Sequence, residues 1–123
     1  MAFQGITYHE QGFEDHLNRV DFIKKYIFPW SNHISVNHVL STIKQFTDLS
    51  MAHLEDITKH YAETLRLWRK KYMSVLPSIK GMGFSDEFLR IWEYYFIYCE
   101  AGFRERYIGD VQIVMAKPEK KDI

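Results

Sequence analysis

Residues 85–116 read SDEFLRIWEYYFIYCEAGFRERYIGDVQIVMA. Phe88, Trp92, Tyr95, Phe96, Cys99 and Phe103 recur at three- and four-residue steps, so they fall on one face of a helix. Ser85 is suited to cap that helix. Asp86 and Glu87 then sit near the positive end of its dipole, with Arg104 and Arg106 near the negative end. Gly109 reads as a break, and Val111 to Ala116 as a strand. A helical period that gives way to a β-rich run within one segment points to a layered fold of mixed elements.

Working outward, the same change of period recurs. Tyr61, Leu65, Trp68, Tyr72 and Val75 form a second apolar stripe, with Lys59, Glu63, Arg66, Arg69 and Lys70 opposite, and Gly81-Met82-Gly83 ends it. Met51 to Ile57 alternates loosely and reads as a strand. Val36, Val39, Leu40, Ile43 and Phe46 predict a helix capped by Ser35. Phe13, Leu17, Val20, Ile23 and Ile27 predict one continuous helix ended by Pro29. Ala2 to Tyr8 reads as a first strand. The predicted order is strand, helix, helix, strand, helix, helix, strand. One domain is expected over 1–118, followed by a charged tail over 119–123.

Composition limits the function classes. Among 123 residues, 16 Lys plus Arg balance 16 Asp plus Glu. That neutrality argues against a nucleic-acid binder, which needs excess cations to neutralise phosphates. The single cysteine, Cys99, cannot form an internal disulfide framework or a cysteine-paired zinc site. His33 and His38 lie five apart, which matches neither an i, i+4 pair nor HExxH. No glycine-rich nucleotide loop of either common type occurs. The longest uncharged run, Tyr26 to Ile43, is interrupted by Pro29 and several polar residues, so it does not read as a membrane span. A soluble, cytoplasmic protein is the expectation.

Helical spacing puts Tyr61 with Leu65, and Tyr95 with Cys99. Two such faces packed together make either ordinary core or an apolar pocket carrying a few hydroxyls and a thiol, suited to a long aliphatic ligand. The cluster Lys59, Arg66, Arg69, Lys70 and Lys71 serves as a solvated helix face or as a contact for anionic lipid headgroups.

Several blocks carry a resemblance. DFIKKYIFP (21–29), HYAETLRLW (60–68), IWEYY (91–95), YCEAGFR (98–104) and VQIV (111–114), in this order and spacing, resemble the C-terminal part of the cyclopropane-fatty-acyl-phospholipid synthase family. The mycolic acid methyltransferases belong to the same family. The resemblance runs from Phe3 to about Pro118 and implies an α/β fold, the C-terminal half of a Rossmann-like methyltransferase sheet. About three strands and four helices are implied, the fifth to seventh strands of seven, with the last antiparallel. It implies transfer of a methylene unit from S-adenosylmethionine to unsaturated acyl chains of phospholipids, with bound bicarbonate as the base.

By that resemblance Tyr61 and Gln4 fall at bicarbonate-site positions, and Phe28, Leu65, Tyr95 and Cys99 line the acyl channel. The family's Phe-Pro-Gly-Gly-x-Leu-Pro-Ser loop here reads FPWSNHIS (28–35), so two glycines are lost and positive φ becomes harder to adopt. The donor-binding loop, the ribose-binding acid and the Cys and Glu of the bicarbonate site all lie in the family's N-terminal portion, outside these residues. This chain alone is therefore expected to hold no cofactor. It is expected to assemble through an exposed sheet edge near Phe3 to Thr7, either with a second copy of itself or with a separate N-terminal half. Peripheral contact with phospholipid at the inner membrane surface is a further expectation, as is a non-catalytic self-associating or lipid-binding module in place of an enzyme segment.

Overall fold

The computed structural model describes residues 1–118; the tail expected over 119–123 lies outside them. Three strands form one sheet in the order β1 (Ala2–Tyr8), β3 (Ile108–Ala116), β2 (Ser50–Asp56), with β3 antiparallel to both neighbours. This is the incomplete sheet the resemblance implies, its last strand antiparallel to both neighbours.

The alternation of β3 sets the layers. Val111, Ile113 and Met115 point to one face, where they pack with Val36, Val39, Leu40 and Ile43 of helix α2 (Val36–Phe46). The opposite face lies under helices α3 (Thr58–Gly81) and α4 (Asp86–Arg104), which pair as a hairpin. Ile6 and Ile108 from the sheet meet Ala62, Leu65, Cys99 and Phe103 there. Leu65 is 1% exposed, and burying a leucine side chain stabilises by roughly 1.5–3 kcal/mol.

The caps read from the sequence are made. Ser35 Oγ accepts the His38 N–H at 3.0 Å, and Ser85 Oγ accepts the Phe88 N–H at 3.1 Å. The α3–α4 hairpin turns at Gly83, whose φ of +92° is cheap for glycine. Arg69 and Glu93 pair at 2.9 Å across the hairpin, and the Tyr72 hydroxyl donates to the Leu89 carbonyl.

Three expectations are corrected. The helix predicted over Phe13 to Ile27 is two pieces, α1 (Phe13–Asn18) and a π-type turn over Ile23–Ile27. Arg19 is extended between them, and the Lys24 ammonium takes the carbonyls of His16 and Arg19 that a continuous helix would bond internally. Gly109 does not break the chain but lies inside β3. A Cβ there would sit 2.9 Å from Thr7 Oγ1 and 3.2 Å from Thr58 Oγ1, so glycine lets strand and helix approach closely. The aromatic stripes are only partly core. Leu65, Cys99 and Phe103 are buried, but Trp68 and Phe88 are exposed: α3 has no buried residue beyond Leu65, and Phe88 stands in the first turn of α4, at the far end of the hairpin. No helix among the described residues is long and apolar enough to cross a membrane.

Alternation also defines the open edge. Met1 exchanges backbone hydrogen bonds with Met115, so odd residues of β1 face β3. The Tyr8 N–H points the other way, to the Ile34 carbonyl at 2.8 Å. The backbone groups of Ala2 and Gln4 therefore face outward on an edge that no other described strand covers.

Candidate functional site

A cavity of about 630 Å³ opens between α3, α4, β1 and the segment 21–33. Its wall is mostly apolar, and its size is that of a pocket for an elongated small ligand. Tyr61, Leu65, Tyr95, Cys99 and Phe28 all line it, so five of the six residues singled out in the sequence converge on one space.

Each is placed by its element. Tyr61 stands in the first turn of α3, its ring 4.9 Å from that of Phe103. Leu65 follows one turn later on the same face. Tyr95 and Cys99 stand one turn apart on α4. Phe28 closes the π-type turn and meets Tyr95 edge-on at 6.2 Å. Burial pushes the Tyr95 phenol up to about 12, with the charges of Cys99 and Tyr61 adding to it. Burial likewise pushes the Cys99 thiol up to about 12, against the opposing pull of the Tyr95 hydroxyl. Burial raises the Tyr61 phenol as well, reinforced by Asp110 and Cys99. Tyr61, Tyr95 and Cys99 are thus uncharged at neutral pH and stand in a mostly apolar wall, which suits a hydrocarbon held mainly by burial.

Gln4 lies outside that lining, exposed on β1. Period two still gives it the same face as Ile6 and Tyr8, both in the cavity wall. Its Nε2 donates to Asp110 Oδ2 at 2.7 Å, and its Oε1 accepts from Gln112 Nε2 at 3.1 Å. Asp110 thereby connects Gln4 with the neighbourhood of Tyr61. It is 1% exposed, and its Oδ1 is buried with no hydrogen-bond partner among the described residues. Burial raises its pKa, while the Gln4 bond pulls it down.

Sequence reasoning missed Asp110. The signal was an acid on the inward phase of β3, two residues from Ile108 and two from Gln112. It also missed Asp21, Ser31, His33, Tyr8, Tyr98 and Tyr107, which line the cavity. All but Tyr98 come from a strand end, a turn or an irregular connection, where no periodicity marks a shared face, and Tyr98 stands on α4 beside the stripe that Tyr95 and Cys99 share. The rings of Tyr8, His16 and His33 form a stacked column with successive centroid spacings of 4.2 and 5.1 Å. Among the described residues no group of three or more His, Cys, Asp or Glu could hold a metal ion.

Comparison with known proteins follows the same lines. A family model described as mycolic acid cyclopropane synthetase matches residues 1–113. The chain is 36% identical over 112 residues to the tuberculostearic acid methyltransferase UfaA1 of Mycobacterium tuberculosis, covering 91% of this chain and 26% of that protein. It is 31% identical over 106 residues to the cyclopropane-fatty-acyl-phospholipid synthase of Escherichia coli, covering 82% of this chain and 26% of that protein. Among solved structures, the cyclopropane synthase MmaA2 of Mycobacterium tuberculosis superposes with a TM-score of 0.81 at 24% identity, over 94% of this chain and 43% of its own. The mycolic acid cyclopropane synthase CmaA1, solved with SAH and CTAB, gives 0.74 at 24% identity, over 95% and 44%. The chain thus spans about a quarter of the length of the curated relatives it matches. It belongs to the mycolic acid cyclopropane synthetase family.

Proposed function

We propose that this chain is the acyl-binding segment of a cyclopropane-synthase-like methyltransferase, one that transfers a methylene unit from S-adenosylmethionine to unsaturated acyl chains of phospholipids. The observation that carries the reading is the apolar cavity on which Tyr61, Leu65, Tyr95, Cys99 and Phe28 converge. An acyl chain seated there is dry, and a dry wall keeps water from intercepting a carbocation. The donor would be held by an N-terminal half, since no glycine-rich loop occurs in these residues.

The residues present suit a small oxyanion such as bicarbonate. The orphaned Asp110 Oδ1 is the observation that favours it, because a buried acceptor without a partner can take the hydroxyl hydrogen of bicarbonate. Tyr61 and the second N–H of Gln4 Nε2 supply two donors. When bound, bicarbonate supplies a proton acceptor. Gln4 is oriented for this by its bonds to Asp110 and Gln112, which fix which end of the amide is the donor.

The assay joins this chain to a donor-binding half and follows label from the methyl group of S-adenosylmethionine into an unsaturated phospholipid. Incorporation is expected from the pair and not from the chain alone. A Tyr61→Phe substitution in the pair should lower the rate about 100-fold. Micromolar binding of S-adenosylmethionine by the isolated chain, or a pair that stays inert, would overturn the reading.

A second reading rests on the outward-facing backbone of Ala2 and Gln4. Such an edge recruits a strand from a donor half or from a second copy of this chain. Light scattering should show self-association of the isolated chain, and a monomer near 15 kDa at high concentration would remove the second-copy option.

A further inference from the structure

Phe28, Ser31 and His33 make one wall of the cavity, and the segment that carries them is lightly attached. At its far end the Ile34 backbone bridges to Thr7 and accepts the Tyr8 N–H. Ser31 bonds only within its own turn, its hydroxyl and its N–H both going to the Phe28 carbonyl. Trp30 in that turn holds a φ of +68°, a strained conformation for any residue but glycine. Among the described residues one hydrogen bond ties 29–33 to another element. The His33 N–H donates to His16 Nε2 on α1 at 3.3 Å. The two rings lie flat on each other, 5.1 Å apart with 4° between their planes, and His16 stacks in turn on Tyr8.

That tie works only while His16 is neutral. A neutral imidazole keeps one nitrogen as acceptor, whereas an imidazolium carries a hydrogen on both. His16 is 5% exposed, so a charge on it has almost no water. Tyr8 and His9 face it from β1 and its end, His33 from the loop, and Lys24 and Asp21 from the segment around the π-type turn. Burial, Lys24, His33 and His9 oppose the charged ring and only Asp21 favours it, so its pKa falls to about 4. The His33 ring is held neutral by burial and Lys24 against the pull of Asp21. We propose that His16 and His33 form a proton-sensitive latch on the cavity: neutral, they hold the wall of 28–33 against α1, and a proton on His16 releases that wall while the sheet and the α3–α4 hairpin stay folded. The packing of Ala62, Leu65, Cys99 and Phe103 is apolar, and a proton leaves it alone. His33 lies in the stretch FPWSNHIS that departs from the family's double-glycine loop. The latch concerns the wall and not its occupant, so it stands whatever ligand the cavity takes.

The test follows amide hydrogen exchange of the intact 123-residue chain by NMR, as protection factors that remove the intrinsic effect of pH. The released ring binds its proton more readily than the latched one, so the latch is present at pH 6.5 and lost as pH falls towards 4. Protection of the His33 amide should drop at least about tenfold over that range, with the midpoint at which the His16 ring nitrogens titrate. At pH 4 it should exchange at least about 100-fold faster than the amides of Leu65 and Ile113. His16→Phe keeps a ring for the stack and removes the acceptor, so its His33 amide should exchange freely at pH 6.5 and show no pH dependence. A His33 amide unprotected at pH 6.5, or still protected at pH 4, overturns the latch. Equal protection of His33, Leu65 and Ile113 at pH 4 also overturns it, because the proton would then unfold the whole chain. A midpoint away from that of the His16 ring, or a pH dependence that survives in His16→Phe, overturns it by moving the trigger to another group such as Asp21.

Discussion

Trp30 carries a φ of +68° and is 99% exposed. The Ser31 N–H bonds back to the Phe28 carbonyl at 3.2 Å, so Phe28 to Ser31 form a turn with Pro29 second and Trp30 third. Proline followed by a positive φ is the pattern of a type II turn, whose third position calls for glycine. A non-glycine residue in the left-handed region costs about 1–2 kcal/mol. The indole buries nothing, so no packing offsets that cost. Trp30→Gly removes the strain and adds roughly 0.4–1 kcal/mol of unfolded-chain entropy. The net is a gain of about 0.5–1 kcal/mol, which for a chain of this size raises the melting temperature by about 2–5 °C. Trp30→Ala is the control, because it keeps a Cβ and therefore the strain, and it should stay within about 0.5 kcal/mol of the parent. Urea and thermal unfolding of the three proteins give the comparison. A glycine variant no more stable than the alanine variant would refute the strain argument. An alanine variant that loses more than about 1 kcal/mol would show instead that the indole is packed.

Other outcomes follow from single features of the structure. Gly109→Ala places a methyl against Thr7 Oγ1 and Thr58 Oγ1; it should cost about 1–3 kcal/mol in urea unfolding, and a neutral result would refute the close-approach account. His16 is buried, and that burial lowers its pKa to about 4, with Lys24 and His33 adding to it. The unfolded chain therefore binds the extra proton first, and stability should fall as pH drops from about 6.5 towards 4, in a melting-temperature profile that His16→Phe flattens. The Cys99 thiol, pushed up to about 12 by burial, should react with iodoacetamide at pH 8 about 100-fold or more slowly than a free cysteine, and denaturant should restore the rate.

How much of this could be read from the sequence differs by element, for physical reasons. The helix over 86–104 was legible because capping, dipole and apolar period agree within one segment, and the side chain of Ser85 makes the bond its position predicts. The break after Asn18 was not, because Leu17 and Val20 keep the helical spacing although both stay exposed. Period reports what could face a core, not whether a core is there. The same gap separates Leu65 from Trp68, two residues of one stripe with opposite fates. For the site, helical spacing paired Tyr61 with Leu65 and Tyr95 with Cys99, and the cavity unites the pairs. Asp21 and His33 reach the same space through a turn and a loop, which no local pattern brings together. Gln4 was chosen by resemblance; it sits on the cavity's phase of β1 but one step outside the lining, held by Asp110, a residue that only the strand register connects to it.

The open edge and the open cavity are two views of one strand. Gln4, Ile6 and Tyr8 turn their side chains to the cavity side of the sheet, and Ile6 and Tyr8 help to wall the cavity. The backbone groups of Ala2 and Gln4 are the ones that face outward. A strand pairing with β1 would satisfy those groups, extend the sheet beside Gln4 and Asp110, and bring side chains of its own over the same face. On the proposed reading, docking a donor-binding half and completing the acyl site are then one event. Such coupling is reciprocal: an acyl ligand that favours the docked form must tighten the docking by the same factor that docking tightens the ligand. Methyl oleate should therefore lower the dissociation constant between this chain and a donor-binding half. No change at saturating ligand would mean that edge and cavity are independent, and that the strand they share does not link them.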